Sequence, residues 1–281
     1  RDFRGADALP RVRDADGWNW ESGVSGRDLA NTADLRDGLA LAFARPRGAS
    51  RAHLVLDGNN SLWSTHLLNE FVRIHGSATQ AWYDSLEALP ALARAVEMRF
   101  AQEAFLAVSV RTPSGWRRQG VFGGAGPEAV KRQVLGLDRS QVAGDTVLVR
   151  LESAPSFWLV DRIGLDLTTD RSLSVHELPL DSARDRAGRD VTPLLAAVDG
   201  RDYVLHSGDA AELSFRVPDL PAGRARSFIL HSTGWYRIDT PGSGEPDVAT
   251  LNAVALDPYG IARGSVVRLN AALSRFSERT R

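Results

Sequence analysis

The sequence contains no cysteine. This absence excludes disulfides, cysteine-based zinc sites, iron–sulfur clusters and thiol nucleophiles. Only one of its 34 basic residues, Lys131, is a lysine, so almost all of its positive charge is on arginine, whose planar guanidinium pairs with carboxylates and stacks on aromatic rings. No apolar run approaches the roughly 18 residues of a membrane-spanning helix. We therefore expect no transmembrane segment in this chain, while peripheral association with a membrane stays open.

The sequence also lacks a surplus of charge of either sign, because its formal net charge is −1. Binding of nucleic acid requires a basic surplus, so we expect no nucleic-acid partner. Nucleophile-elbow, phosphate-loop and dinucleotide-binding motifs are absent, and the six histidines have no metal-ligand spacing. We therefore expect a protein that is not an enzyme. A glycan hydrolase is the weaker alternative, since its two carboxylates cannot be selected from one sequence.

Side chains alternate between apolar and polar over residues 144–180. This period of two predicts three consecutive antiparallel strands, with turns at Pro155 and at residues 168–170. The aromatic-rich run at residues 225–239 has a similar pattern. The remaining predicted strands cover residues 39–43, 53–57, 105–111, 116–122, 130–138, 203–206 and 211–217, of which the first two form a hairpin around Pro46-Arg47-Gly48.

Between two of these strands the apolar residues recur at helical spacing. Ser61 predicts the start of a helix and Gly76 its end. Further predicted helical segments cover residues 78–89, 91–102, 190–197 and 262–276. The pattern as a whole predicts a mainly β protein, an antiparallel β-sandwich of the jelly-roll kind with a helical insertion at about residues 60–103 and a C-terminal helix. We expect an extended N-terminal arm over residues 1–37, the sandwich over 38–240, and a C-terminal loop and helix over 241–281.

Oxygen-bearing side chains occur at nearly alternate positions around Gly17. Such spacing is typical of a calcium loop, although the twelve-residue EF-hand pattern is absent. Two interpretations stay open, a solvated acidic turn with no cofactor and a structural calcium site. The predicted calcium ligands are Asp14, Asp16, Asn19 and Glu21.

Seven tryptophans stand out in this composition. Those on periodic apolar faces, such as Trp63 and Trp158, are predicted to lie in the core. Others sit next to turns, where an exposed indole or phenol ring can stack on a sugar or anchor a protein interface. The predicted binding surface consists of Trp18, Trp20, Trp116, Trp235 and Tyr236.

Several short motifs carry a resemblance to known proteins. They are Asn60-Ser61-Leu62-Trp63, Arg150-Leu151, Phe157-Trp158 with Asp161, residues 188–195, Ser227-Phe228 and Gly234-Trp235-Tyr236. Over residues 145–167 the chain resembles the late strands of galactose-binding-like jelly rolls. Over residues 39–276 it resembles a group of uncharacterised bacterial extracytoplasmic proteins. The resemblance implies the fold and export to the periplasm or cell surface, and it transfers no catalytic residue.

These observations predict a non-catalytic, exported accessory or structural subunit that binds protein partners on the outer face of a larger assembly, such as a respiratory or photosynthetic membrane complex. The alternative is a carbohydrate-binding module of a secreted or cell-surface protein. Fold-level likeness to sugar-binding modules is only an analogy, so the residues themselves must distinguish the two.

Overall fold

The computed structural model describes residues 1–23, 35–44, 52–138, 145–168, 172–223, 225–235, 242–257, 259–265 and 268. The described chain is mainly β, as the alternating patterns predict. Ten strands lie within it: β1 (Trp20–Glu21), β2 (Asp37–Ala44), β3 (Ala52–Asn60), β4 (Leu106–Thr112), β5 (Gly115–Phe122), β6 (Lys131–Leu137), β7 (Thr146–Ser153), β8 (Trp158–Asp166), β9 (Leu180–Asp185) and β10 (Ala211–Phe215).

These strands form three antiparallel sheets. Sheet A has the order β2-β7-β4-β5, sheet B the order β1-β8-β3-β6, and sheet C consists of β10 and β9. The β2–β7 pair runs without interruption from Asp37 opposite Ser153 to Ala44 opposite Thr146. The β3–β8 pair has a bulge between Asp57 and Gly58, which locally increases the twist of a strand.

The inward faces of sheets A and B share one hydrophobic core. On β7 the inward side chains Val147, Val149 and Leu151 are buried, while Leu148 and Arg150 lie on the outer face. Side chains of β3 and β8 join the same cluster from sheet B. Two packed antiparallel sheets around one core confirm the predicted sandwich, and its jelly-roll strand order stays a prediction.

A helical insertion connects β3 to β4, as the change of period predicts. It comprises α2 (Trp63–His75), α3 (Thr79–Ala88) and α4 (Pro90–Ala104), preceded in chain order by α1 (Leu9–Val12). Gly76 ends α2 with a φ of +51°, a backbone conformation that glycine adopts without the steric cost of a Cβ.

The C-terminal part of the chain is also helical. Later helices are α5 (Thr192–Leu195) and α6 (Val248–Leu256). Residues 260–265 are helical too, and the rest of the predicted terminal helix, except residue 268, lies outside the described residues.

The N-terminal arm packs on the sandwich over its described part. Asp2 forms a bridge with Leu39 at the edge of sheet A, and its carboxylate accepts hydrogen bonds from the backbone of Arg4 and Ala6. Trp20 and Glu21 pair with β8 in sheet B. The arm thus contributes pairing to both sheets.

The chain divides into two compact units. The large unit comprises Arg1–Asp170 and Thr240–Arg281, and the small unit comprises Arg171–Asp239. The sequence predicts one sandwich over residues 38–240, whereas the structure places sheets A and B in the large unit and sheet C in the small unit. Alternation of side chains identifies a strand but gives no information on the sheet to which it belongs.

The predicted pairing of the first two strands is wrong. β2 and β3 do not form a hairpin, because β2 pairs with β7 and β3 pairs with β8 and β6. Similarly, β7 and β8 are consecutive in sequence but lie in different sheets. At Ser156, in the connection between them, φ is +67°, the one positive φ of a non-glycine residue in the described ranges. Its N–H donates to the carbonyl oxygen of Ser22.

Three predicted strands are also wrong in their described parts. Residues 173–177, 203–206 and 225–235 have no strand pairing, and the third central strand begins only at Leu180. Their sequences favour extended backbone, but a strand forms only where a neighbouring backbone accepts its hydrogen bonds. The strand at Ala211–Phe215 ends two residues before its predicted end.

Candidate functional site

Of the five aromatic residues predicted to form a binding surface, four are described, and they belong to different elements and units of the chain. Trp18 is exposed beneath the Arg11 guanidinium, at 4.5 Å from ring centroid to Cζ. Trp20 is not a surface residue, because its pairing with β8 directs the ring into the core. Trp116 lies on sheet A of the large unit, and Trp235 lies exposed in the small unit. Tyr236 lies outside the described residues.

Trp116 belongs to a strip of aromatic and cationic side chains on the outer face of sheet A. It is directly opposite Arg111 in the β4–β5 pair. The guanidinium carbons of Arg111 and Arg150 each lie 5.8 Å from its ring centroid. Arg150 also lies 4.9 Å from the ring of Phe3 and forms an ion pair with Glu152. We call Phe3, Arg111, Trp116 and Arg150 the aromatic strip.

The aromatic strip is accessible and retains free cationic groups. Trp116 is 39% exposed. Arg111 and its neighbours Arg117 and Arg118 are exposed as well, and none of the three has an acidic partner among the described residues. An open ring beside unpaired guanidiniums can stack on a planar or sugar ring and bind a carboxylate at its edge.

The predicted calcium ligands do not converge. Asp14 forms an ion pair with Arg13, and Asp16 accepts the backbone N–H of Trp18. Glu21 lies exposed on β1. In the part of the chain that the structure describes, no three histidine, aspartate or glutamate side chains are close enough to share a metal ion. Calcium at this turn stays a prediction for which the geometry gives no support.

A different carboxylate organises this acidic turn. Asp161, buried on β8, accepts hydrogen bonds from the backbone N–H groups of Asp16 and Gly17 at 3.2 and 2.8 Å. The contact fixes the turn against sheet B. The sequence shows Asp161 as a polar residue in an apolar strand, but it does not show that the partner is a turn 144 residues earlier.

Buried acidic groups of the large unit are engaged with basic groups or backbone amides. Asp57 on β3 accepts hydrogen bonds from Arg132 and Arg162. The Arg132 hydrogen bond in particular holds the pKa of Asp57 below its usual value. Such an arginine pair fixes a carboxylate as a structural anion, and it does not provide a proton donor near neutral pH.

Glu103 on α4 has the opposite electrostatic environment. Burial raises the pKa of this carboxyl group, although it accepts hydrogen bonds from Arg99 and from the backbone N–H of Ala262. Arg99 also donates to the carbonyl oxygen of Val254. These contacts connect α4 to α6 and to the helical residues 260–265, so Glu103 has a structural role that is visible without a ligand.

The small unit has an unusually apolar surface. Fourteen of its large hydrophobic side chains are exposed, whereas only two of its described hydrophobic residues, Ala183 and Val191, are buried. Ile229 is 92% exposed, and its neighbours Phe228 and Leu230 are exposed too. Large exposed apolar surfaces on soluble proteins usually mark a site that binds something.

Two stretches of the small unit combine exposed side chains with open backbone. We call residues 172–179 and 225–235 the apolar segments. Neither contains a strand or helix, and no backbone–backbone hydrogen bond joins their described residues to the rest of the described chain. The indole N–H of Trp235 donates a hydrogen bond to the Asp202 carboxylate at 2.8 Å. The sequence of these segments predicts strands that pair within the chain. It contains no signal that their pairing partners would be missing among the described residues.

Comparison with known proteins finds no matching family model, no matching curated protein and no matching solved structure. The functional argument therefore depends on the residues of this chain. Among the described helices none has both the length and the hydropathy to cross a membrane.

Proposed function

We propose that this chain is a non-catalytic, exported accessory or structural subunit that binds a protein partner on the outer face of a larger assembly. The observation that carries the proposal is the small unit, whose described residues expose fourteen large hydrophobic side chains and bury two hydrophobic residues. A two-stranded sheet with so little buried apolar surface is marginal on its own. A partner that covers these side chains supplies the missing core.

The apolar segments indicate the form of that partner. Their backbone belongs to no strand or helix and has no backbone hydrogen bond to the rest of the described chain, and their sequence favours strands. A strand of another protein placed beside residues 225–235 would satisfy those backbone groups and cover alternate side chains. Burying the side chains of Phe228, Ile229 and Leu230 would contribute about 1.5–3 kcal/mol each before the cost of association. We therefore propose an extended, apolar segment of a different protein as the occupant.

The test is a photo-crosslinking amino acid placed at Ile229 in the native cell envelope. The crosslinked protein is purified, and its complex with the intact chain is reconstituted and measured for stoichiometry and affinity. We expect a complex of fixed stoichiometry. The Ile229→Asp variant should weaken it at least about tenfold, because a charge would replace a buried apolar side chain.

Leu256→Asp is the matched control, since Leu256 is also a strongly exposed apolar residue, at the end of α6 in the large unit. It should bind the partner with unchanged affinity. Equal affinity of the Ile229→Asp and wild-type chains for every purified crosslinked protein would refute the proposal.

A second candidate function, carbohydrate binding, is favoured by the aromatic strip. Trp116 and Arg111, which has no acidic partner among the described residues, lie side by side on an open sheet face. This pairing suits a sugar ring that carries a carboxylate, because the indole stacks on the ring and the guanidinium binds the acid. Trp116→Ala should lower affinity for a uronic-acid oligosaccharide at least about tenfold, as measured by calorimetry.

Trp18→Ala is the control for this second function. Trp18 is an exposed tryptophan beneath an arginine, as Trp116 is, but it precedes β1 of sheet B. Its loss should leave sugar affinity unchanged. Absence of binding to acidic and neutral oligosaccharides alike, with the fold intact, would exclude the carbohydrate-binding alternative at this strip.

A further inference from the structure

The open edge of sheet C is β10. The other strand, β9, is covered along Ala183–Asp185, because Asp185 donates its N–H to Arg189 and the N–H of Val191 donates to Ala183. β10 has β9 on one side and no described strand on the other. Its outward backbone N–H and C=O groups are therefore available to another strand.

The chemistry of β10 does not protect this edge. Edge strands usually avoid pairing through lysine, proline or an inward-pointing charge. The strand Ala211–Phe215 contains neither proline nor lysine, and Leu213 and Phe215 lie exposed on one face together with Val217 beyond the strand end. Pro218 then prevents further pairing. The edge thus provides a short apolar strand with a defined end.

The sequence around Ser214 is self-complementary when two copies run antiparallel. It reads Glu212-Leu213-Ser214-Phe215-Arg216. With Ser214 opposite Ser214, Glu212 of each copy is opposite Arg216 of the other, and Leu213 is opposite Phe215. Opposite charges and an aliphatic–aromatic pair are favourable cross-strand neighbours. If the two-fold centre moves from Ser214 to Leu213 or to Phe215, that residue lies opposite its own copy. In either register Glu212 no longer lies opposite Arg216, so the favourable charge pairs are lost.

We infer that β10 is a homodimerisation edge, where β10 of a second copy of this chain pairs antiparallel about Ser214. The product is a four-stranded sheet with the order β9-β10-β10-β9. A two-fold axis through Ser214 closes the assembly at two chains, because both copies use the same edge. The second copy is favoured over an unrelated strand because this edge supplies its own complementary charges and apolar side chains.

The two charged residues are available for this exchange. Glu212 is exposed, and Arg216, whose side chain is 86% exposed, has among the described residues a single ion-pair contact, at 3.5 Å with the half-exposed Asp181. An exposed pair of this length contributes little to stability. This inference and the heterologous partner proposed above use different backbone segments, because the second copy pairs with β10 and the partner strand pairs with residues 225–235.

The test uses charge reversal in the full chain, with sedimentation velocity at increasing protein concentration as the readout. The wild-type chain should show a monomer–dimer equilibrium. Glu212→Arg and Arg216→Glu should each weaken dimerisation at least about tenfold, because each places two pairs of like charges opposite one another. The Glu212→Arg/Arg216→Glu double variant should restore the dimer.

A mixture of the two single variants gives the sharpest result. In the mixed dimer every reversed residue faces an opposite charge, so the mixture should dimerise while each variant alone stays monomeric. Circular dichroism should be unchanged, since both side chains are exposed. A wild-type chain that is monomeric at every concentration would overturn the inference, as would single variants that dimerise like the wild type.

Discussion

At the scale of single residues, Asp57 shows how charge stabilises the sandwich. Its carboxylate is buried and accepts three hydrogen bonds from Arg132 and Arg162, at 2.7, 3.0 and 2.8 Å. Both arginines come from the strands on either side of β3, namely β6 and β8. One anion therefore joins three neighbouring strands of sheet B.

Replacing this anion should lower stability by a moderate amount. We expect Asp57→Asn to reduce the free energy of unfolding at pH 7 by about 1–3 kcal/mol. The value falls below that of a fully buried ion pair because the Arg132 and Arg162 side chains are 61% and 35% exposed and can regain water. Urea unfolding of the two chains measures the difference.

The pH dependence of that difference has a definite sign. Hydrogen bonding to the arginines lowers the pKa of Asp57 in the folded chain. A lowered folded-state pKa contributes stability above the unfolded value, about 3.9, and loses it as the pH falls through the folded value. The difference in the free energy of unfolding between the wild type and Asp57→Asn should thus be largest at pH 7 and should decrease below about pH 4.

Asp14→Asn is the matched control, because Asp14 also pairs with an arginine but both partners are more than 60% exposed. Its effect should stay within about 0.5 kcal/mol at every pH. An Asp57→Asn effect equally small at pH 7 would contradict the structural role of this carboxylate.

At the scale of elements, the sequence predicted the strands and helices of the large unit better than their pairing. The alternation of Val147, Val149 and Leu151 with polar neighbours is a local property, and it correctly predicted β7. The partner of β7 depends on which distant strand covers the same core face, and that information is distributed over the whole chain. The predicted β2–β3 hairpin failed for this reason.

The same limit explains what the sequence could not predict about the site. A tryptophan beside a turn has no local signal that distinguishes burial from exposure. Both Trp20 and Trp116 were predicted to lie on the surface, but Trp20 is buried and Trp116 is exposed. Burial of Trp20 follows from its pairing with Val160 in β8, 140 residues later. The aromatic strip likewise depends on Phe3 and Arg150 meeting across the edge of sheet A.

Contacts between elements also depend on single charged groups. Arg99 and Glu103 extend from α4 to the C-terminal helices. There Arg99 donates a hydrogen bond to the carbonyl oxygen of Val254, and Glu103 accepts one from the backbone N–H of Ala262. The helical spacing of four residues predicts that Arg99 and Glu103 pair with each other. It does not predict that both also hold a segment about 150 residues away.

At the scale of the whole molecule, the two units differ in how they achieve stability. The large unit buries continuous core residues from both of its sheets. The small unit buries little apolar surface among its described residues, and its contacts comprise the β9–β10 pairing and polar contacts such as Asp185 with Arg189 and Asp202 with Trp235. Polar contacts at exposed sites contribute little net free energy, whereas burial of apolar surface dominates folding. The small unit should therefore be the less stable part of the isolated chain.

Hydrogen exchange followed by mass spectrometry tests this difference. In the isolated chain the amides of residues 225–235 should exchange at nearly unprotected rates, because they donate no hydrogen bonds within the described chain. The amides of β3, which is paired on both sides, should exchange orders of magnitude more slowly. Strong protection of residues 225–235 in the isolated chain would contradict an open segment.

Binding of the partner should slow hydrogen exchange in residues 225–235, and the set of amides that it protects should distinguish two kinds of interaction. A partner strand paired with residues 225–235 must protect alternate amides there, because antiparallel or parallel pairing uses every second N–H of a strand. A partner that only covers the side chains of Phe228 and Ile229 would bury apolar surface and leave those amides exchanging. Protection confined to this segment, with β3 unchanged, would identify strand addition as the way in which the small unit acquires the core that its own residues do not provide.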